Sequence, residues 1–281
     1  MSDRPAHGID SLPPIQSVDV NGDEAERMQS WHEETRFHRG IRLRRSRIIA
    51  RFLKDPAVIR KITDLHPRAF GDRVIPLADP PIERADVQQA LARRTSTVRP
   101  RLTGTVSEAQ ISALLHLAVR PNRWVKSSVA DVRFGLRPYP SAGALYPCDI
   151  YVVMGDGETA GLPLRYDAGA HSLIDYGVPR GDFRCVEMDV LTAPPPCAVV
   201  IAGVFSRATA KYGPRGYRFA LLEAGHIGQN LVLAATSLGL PSLVSGSYFD
   251  AELERWLGLD GRDEAVLSVV LIGEPLQSSE D

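Results

Sequence analysis

The apolar positions change period along the chain. Between residues 25 and 65, Trp31, Phe37, Ile41, Ile48, Ile49 and Phe52 recur among Arg, Glu and His at helical spacing, which predicts amphipathic helices. Residues 86–94 and 107–118 predict two more helices. The second opens on Ser107 and Gln110 at capping-box spacing and is closed by Pro121. Residues 219–238 form a long apolar helical run, with Gly239 at a C-cap-like position and Pro241 beyond it. Between these segments lie β-branched runs. Residues 150–154 (IYVVM), 198–205 and 267–272 predict strands, and 164–167 with 172–175 flank an Asp167-Ala168-Gly169 turn and predict a hairpin. This mixture predicts an α+β layered catalytic domain over residues 85–281. Residues 1–84 predict an N-terminal extension. Its first twenty residues are polar and expected to be disordered, a helical arm follows, and 73–83, with Pro76, Pro80 and Pro81, reads as linker or arm.

Composition narrows the partners. The formal net charge is -1 over 281 residues, so no global field favours nucleic acid or an anionic membrane. The cluster Arg42, Arg44, Arg45 and Arg47 therefore reads as a solvated helix face. No apolar run is long enough to span a bilayer, and residues 1–18 lack the apolar core of a signal peptide. Cys148, Cys185 and Cys197 have no metal-ligand spacing. They are expected to be buried or incidental thiols, with no metal site and a reducing, cytoplasmic setting.

There is no P-loop, no G-x-G-x-x-G after a strand, no H-E-x-x-H and no G-x-S-x-G. Three segments carry candidate chemistry. In Arg93-Arg94-Thr95-Ser96-Thr97, guanidiniums and hydroxyls at a helix end can hold a phosphate, and a solvated helix end fits the same residues. In Pro140-Ser141-Ala142-Gly143-Ala144-Leu145-Tyr146-Pro147, small residues between prolines let a flat ligand approach the backbone; a tight loop leading into a strand is the plainer reading. Lys211-Tyr212 stands between a strand and the long helix and can handle a proton, although such a dipeptide is common.

Taken together and in this order, the segments resemble the SagB/McbC-type azoline dehydrogenases of the nitroreductase superfamily, over roughly residues 85–275. PSAGALYP is the most specific stretch. Glu223-Ala224-Gly225-His226-Ile227-Gly228-Gln229-Asn230, GSYFD at 246–250, Gly273-Glu274-Pro275 and WHEETRFH at 31–38 support it. The resemblance implies a nitroreductase-like α+β fold, its mixed or antiparallel central sheet flanked by helices, and a homodimer with FMN at the interface. It implies that Arg94 and Ser96 grip the FMN phosphate with Arg93 adjacent. Val98 stands where a further basic residue is expected, and Arg99 or Arg101 can replace it. It implies that Pro140, Ser141, Gly143 and Leu145 meet the flavin ring, that Ser245 and Gly246 approach its other side, and that Lys211 and Tyr212 are catalytic.

The implied reaction removes a proton and a hydride from a thiazoline or oxazoline in a peptide, leaving the aromatic azole. FMN accepts the hydride, a protein base takes the proton, and dioxygen reoxidises the flavin. A lysine suits the base when its surroundings favour the neutral amine. Lys211 is assigned that role, with Tyr212 orienting the substrate or relaying the proton. A cyclodehydratase is the implied partner. Two alternatives share the flavin site: an NAD(P)H-dependent nitro or quinone reductase, and an azoline oxidase acting on carrier-bound nonribosomal intermediates. A flavin-free scaffold is the reading from outside enzymology.

Overall fold

The computed structural model describes residues 22–36, 49, 54–57, 73–81, 86–97, 102–127, 131–181 and 195–274. Its elements in chain order are α1 (Gly22–Glu34), β1 (Arg73–Pro76), α2 (Val87–Arg93), α3 (Glu108–Ala118), β2 (Arg123–Lys126), β3 (Arg133–Leu136), β4 (Cys148–Met154), β5 (Pro163–Asp167), β6 (Ser172–Asp175), β7 (Cys197–Val204), α4 (Phe205–Tyr212), α5 (Arg215–Ser237), β8 (Ser242–Ser245), α6 (Asp250–Leu257) and β9 (Glu264–Ile272). The first twenty residues, Phe37, Ile41, Ile48, Phe52, the Arg42–Arg47 cluster, Val98, Arg99, Arg101 and Cys185 lie outside the described residues.

Seven strands form one sheet in the order β1-β6-β5-β4-β7-β9-β8, and all its strand pairings are antiparallel. β2 and β3 make a separate antiparallel pair. Every residue of β7 is buried, because helices cover both faces of the sheet. Cys197, Val199 and Ile201 face a core with Ile111, Leu114 and Leu115 of α3 and Ile227 and Leu231 of α5. Ala198, Val200 and Ala202 face the opposite core, which contains Leu253 and Leu257 of α6. The β7–β9 register shifts between Ile201 and Ala202, whose partners are Ser268 and Val266. The extra residue, Leu267, is a bulge that puts Val266 and Val269 in the same core.

The long helix α5 buries Gly216, Ala220, Glu223, Ala224, Ile227, Gly228, Leu231, Ala234 and Ala235, a stripe at helical spacing with one carboxylate in it. Gly216 sits where α4 turns into α5. A Cβ there would lie 2.5 Å from the Thr209 amide nitrogen, so only glycine lets the two helices cross so closely. α1 docks on the first turn of α5. Trp31 meets the Tyr217 ring edge-on at 5.6 Å, Arg218 donates to Thr35 Oγ1 at 2.6 Å and to the His32 carbonyl at 2.8 Å, and Arg215 donates to the Thr35 carbonyl at 3.2 Å.

Most predicted elements stand, with boundary changes. The capping box at Ser107 and Gln110 is present, and the hairpin joins β5 to β6. Four readings change. Arg73–Pro76, expected as linker or arm, is an edge strand paired with β6. Pro76 fits because it ends that edge strand. Phe205 starts α4 and does not close β7, so Lys211 and Tyr212 sit in a helix that the periodicity did not predict. α5 begins at Arg215, ahead of the expected start. β2, β3, β8 and α6 were not predicted. Ile227→Ala, which opens a cavity under the sheet, is expected to destabilise the fold by about 2–5 kcal/mol in urea or thermal unfolding.

Candidate active site

The PSAGALYP segment is a loop under strain. A 3-10 turn spans Ala142–Ala144, closed by the Ala144 N–H donating to the Ser141 carbonyl at 3.1 Å. Gly143, Ala144 and Tyr146 have φ of 64°, 53° and 46°. Two of these residues carry a Cβ in the left-handed region, an arrangement that persists only when the surroundings over-determine it.

Those surroundings are polar and specific. The Tyr146 N–H donates to Ser141 Oγ at 2.9 Å, and the Tyr146 hydroxyl accepts the Arg137 N–H at 3.0 Å. The Arg137 guanidinium stacks 4.8 Å from the Tyr146 ring centroid and donates to the Tyr139 hydroxyl at 2.7 Å. The Val204 N–H, at the end of β7, donates to the Pro147 carbonyl at 2.7 Å. Arg207 of α4 grips both oxygens of Asp149, at 2.5 and 3.0 Å. Burial alone would raise the Asp149 carboxyl, but the Arg207 guanidinium reverses this and holds it below its ordinary value.

Beneath the loop lies Glu223, only 1% exposed. Its Oε1 accepts the Cys148 N–H at 3.3 Å, and Oε2 is buried without a hydrogen bond. Burial pushes its carboxyl up to about 7, against the opposing pull of Ser141 and the Arg137 guanidinium.

Lys211 and Tyr212 end over this loop. A Cβ built on Gly143 would stand 2.5 Å from Lys211 Nζ and 2.5 Å from the Tyr212 hydroxyl. Lys211 is buried, its Nζ 5.1 Å from the Tyr212 ring centroid, and Tyr212 packs edge-on against Phe219 at 4.9 Å. The structure thus brings Ser141, Gly143, Lys211 and Tyr212 to one mouth, with Pro140 exposed at its rim and Leu145 buried below.

The remaining predicted residues form a second group along β8. Arg93 ends α2 and is exposed, Arg94 is its half-buried C-cap, and Arg94 Nη1 donates to Ser96 Oγ at 3.4 Å. The Thr97 N–H donates to the Ser242 carbonyl at 2.9 Å, tying the segment to the start of β8. Ser245, at the other end of that strand, is buried and accepts the Ser247 N–H at 3.1 Å. Gly246 faces open space, with no atom within 4 Å of where its Cβ would be. Three residues of strand put the two ends on the order of 10 Å apart.

Sequence reasoning assigned no role to Glu223, Arg137, Tyr139 or Tyr146. Glu223 had a signal, since a carboxylate inside an apolar helical stripe is costly to bury unless it is used. Arg137 had none. Elsewhere, ligand atoms of Asp79, His116 and His171 lie within 4.8 Å of one another. Arg120 is hydrogen-bonded to Asp79 and, at 2.9 Å, to His116 Nδ1, so a cation already sits between them. Tyr166 and Ser112 occupy the two His171 ring nitrogens at 2.7 and 3.0 Å.

An antiparallel sheet with helices on both faces and a strained loop at its mouth defines this chain as a layered α+β protein. It belongs to the nitroreductase family, whose model matches residues 91–274. It is 33% identical to a Methanocaldococcus jannaschii protein carrying the nitroreductase name, over 63% of this chain and 87% of that protein. It is 34% identical to the microcin B17-processing protein McbC of Escherichia coli, over 49% of this chain but only 54% of McbC. Among solved structures it is similar in fold to a chain of the E. coli microcin synthetase McbBCD complex with truncated pro-MccB17 bound. The TM-score is 0.56 and the identity 23%, covering 90% of this chain and 93% of that one. Among the described residues no helix is long and apolar enough to cross a membrane.

A buried carboxyl with a raised pKa holds its proton more tightly in the folded chain than in the unfolded one. Its contribution to stability is full below about pH 4.5 and is lost as pH rises to about 7. Urea unfolding at pH 5 and pH 8 is therefore expected to show Glu223→Gln gaining on the parent at the higher pH, by on the order of 3 kcal/mol. A difference independent of pH would mean that the carboxyl titrates in the ordinary range.

Proposed function

We propose that the chain is an FMN-dependent dehydrogenase that oxidises thiazoline or oxazoline rings of a peptide to azoles. One observation carries the reading: Lys211 Nζ and the Tyr212 hydroxyl converge over Gly143 of the loop assigned to the flavin ring. Kinship with McbC supports a peptide as the substrate.

The residues present fit FMN. Arg94, Ser96 and the neighbouring Arg93 supply the charged and hydroxyl donors that a phosphate takes. Ser141 and Gly143 offer a backbone cradle on one side of the ring, and Ser245 and the unobstructed Gly246 offer the other. Bound FMN would supply the two-electron acceptor of the oxidation. Lys211 takes the proton from the ring carbon beside the carbonyl. Its burial in the last turn of α4 keeps bulk water away from the amine. Tyr212, held by Phe219, orients the substrate or relays that proton.

Residues 85–281 are the catalytic domain in this reading and 1–84 an extension that reaches it through α1 and adds β1 to the edge of its sheet. A homodimer is part of the same reading. Val87 and Leu91 of α2, Leu222 of α5 and Val244 of β8 are 66, 55, 59 and 48% exposed, apolar surface suited to a second copy. A cyclodehydratase that makes the azoline is the expected further partner, in the cytoplasm.

Arg94→Ala is expected to release FMN on dilution, weakening retention by about 1.5–3 kcal/mol, while the ring chemistry of flavin-replete protein is little changed. Equilibrium dialysis measures this; unchanged retention moves the clamp to another cation. Lys211→Ala is expected to cut turnover of a thiazoline-containing peptide about 10²–10⁴-fold while FMN stays bound and reducible by dithionite. Equal turnover by parent and variant removes Lys211 from the chemistry. A parent that ignores thiazolines but reduces nitro compounds or quinones with NAD(P)H establishes the reductase instead.

A further inference from the structure

The first turn of α5 carries two cations where a helix favours anions. The N–H groups at a helix N-terminus hold a partial positive charge, so Arg215 and Arg218 stand at the unfavourable end, with no acidic residue in that turn to offset them. Both reach across to the opposite pole of α1. Arg215 Nη1 donates to the Thr35 carbonyl at 3.2 Å, and Arg218 Nη2 donates to the His32 carbonyl at 2.8 Å. These oxygens lie at the C-terminal end of a helix, where carbonyls run out of helical partners and attract cations. Thr35 is fully buried, and its Oγ1 accepts Arg218 Nε at 2.6 Å.

The two arginines differ in the ring each one meets. Arg218 Cζ lies 5.2 Å from the Trp31 ring centroid, on α1 itself. Arg215 Cζ lies 5.7 Å from the Phe219 ring centroid, one turn further along α5 and within reach of a cation–ring attraction. Phe219 in turn meets Tyr212 edge-on, with centroids 4.9 Å apart and planes at 80°. Tyr212 is the last residue of α4, and its hydroxyl stands beside Lys211 Nζ over Gly143. Packing orients its ring, with the Phe219 ring on one side and Lys211 Nζ 5.1 Å from its centroid. Four contacts in a row thus lead from the end of α1 to the mouth of the site: Thr35 to Arg215, Arg215 to Phe219, Phe219 to Tyr212, and Tyr212 to the loop.

We propose that Arg215 is a positioning residue that couples the N-terminal extension to the site: docked α1 holds its guanidinium, the guanidinium holds the Phe219 ring, and that ring sets the Tyr212 hydroxyl over Gly143. The proposal rests on the reading of Tyr212 as a residue that meets the substrate. It gives a reason for a cation at position 215. A neutral amide there could donate to the Thr35 carbonyl without opposing the dipole of α5, but a guanidinium also attracts the Phe219 ring. Docking of α1 is then a condition for an ordered Tyr212, and the extension acts on the chemistry without touching the reacting atoms.

The test reads Tyr212 directly. Fluorotyrosine is placed at position 212 of the full chain, and its fluorine resonance is recorded for the parent, Arg215→Gln, Arg218→Gln, Phe219→Leu and Phe219→Tyr, with the urea midpoint of each measured alongside. Arg215→Gln keeps a donor for Thr35 and removes the charge. It is expected to move the resonance towards that of free fluorotyrosine, as is Phe219→Leu, whereas Phe219→Tyr keeps a ring and the parent position. Arg218→Gln, which loosens α1, is expected to move the resonance part of the way. A lowered urea midpoint with an unmoved resonance in Arg215→Gln makes α1 a strap and overturns the proposal. Should Arg215→Gln fail to fold, Arg218→Gln decides: a resonance that stays in place overturns the coupling, and one that moves upholds it. Turnover of a thiazoline-containing peptide gives the second readout. Arg215→Gln is expected to cut kcat about three- to tenfold, the range one cation–ring contact supports, with FMN retention unchanged and no further loss when Tyr212 is already Phe. Equal losses with Tyr212 present and absent overturn the proposal. A moved resonance in a parent that ignores thiazolines upholds the coupling and overturns the azoline reading instead.

Discussion

The arrangement of this site depends on the ion pair between Arg207 and Asp149. Asp149 stands two residues beyond Pro147, at the start of β4, so whatever holds it also holds the exit of the strained loop. Arg207 lies in α4, one turn before Lys211 on the same helical face. The two-pronged contact therefore fixes the lysine's helix relative to the loop under it. The pair is largely buried, and removing either partner would strand a charge, which is far more destabilising than loss of a surface pair. Such a contact is weak evidence of added stability. It is better evidence of a geometry maintained for use.

Around that pair, strain and support are matched. Ala144 and Tyr146 hold backbone angles that residues with a Cβ rarely adopt, and each unfavourable angle is answered by a bond from outside the loop or across it. Arg137 does this twice, through its main-chain N–H to the Tyr146 hydroxyl and through its guanidinium over the same ring. Tyr139 closes the cluster, its ring edge-on to Tyr146 at 5.8 Å. A loop fixed this way presents its outward N–H groups without having to reorganise when a ligand arrives, which is the condition for electrostatic preorganisation.

The fold was legible in the sequence where burial is one-sided or uninterrupted. α3 declared itself through its capping box, α5 through its apolar stripe, and β4 and β7 through β-branched runs. What stayed hidden has physical reasons. α4 reads FSRATAKY, with only Ala208 and Lys211 buried, so no apolar stripe announces a helix. β1 and β8 are four-residue edge strands that borrow their order from β6 and β9. α6 had the Leu253 and Leu257 spacing that should have revealed it. Of the site, the motif residues were readable as types in order, but their convergence was not. Gly143 and Lys211 are far apart in sequence, and only the antiparallel pairing of Cys148 with Gly203 brings the loop before β4 beside the helix after β7.

That pairing also explains why a carboxylate belongs on the buried stripe of α5. The loop before β4 turns back over α5 as it enters the sheet, which leaves the Cys148 N–H facing the helix. An apolar residue at position 223 would leave that N–H buried and unsatisfied, a loss comparable to the desolvation of a neutral carboxylic acid. The sequence therefore faces a choice of polar groups there, and an amide could satisfy the same donor. A carboxyl differs from an amide in one respect, its capacity to exchange a proton near neutral pH.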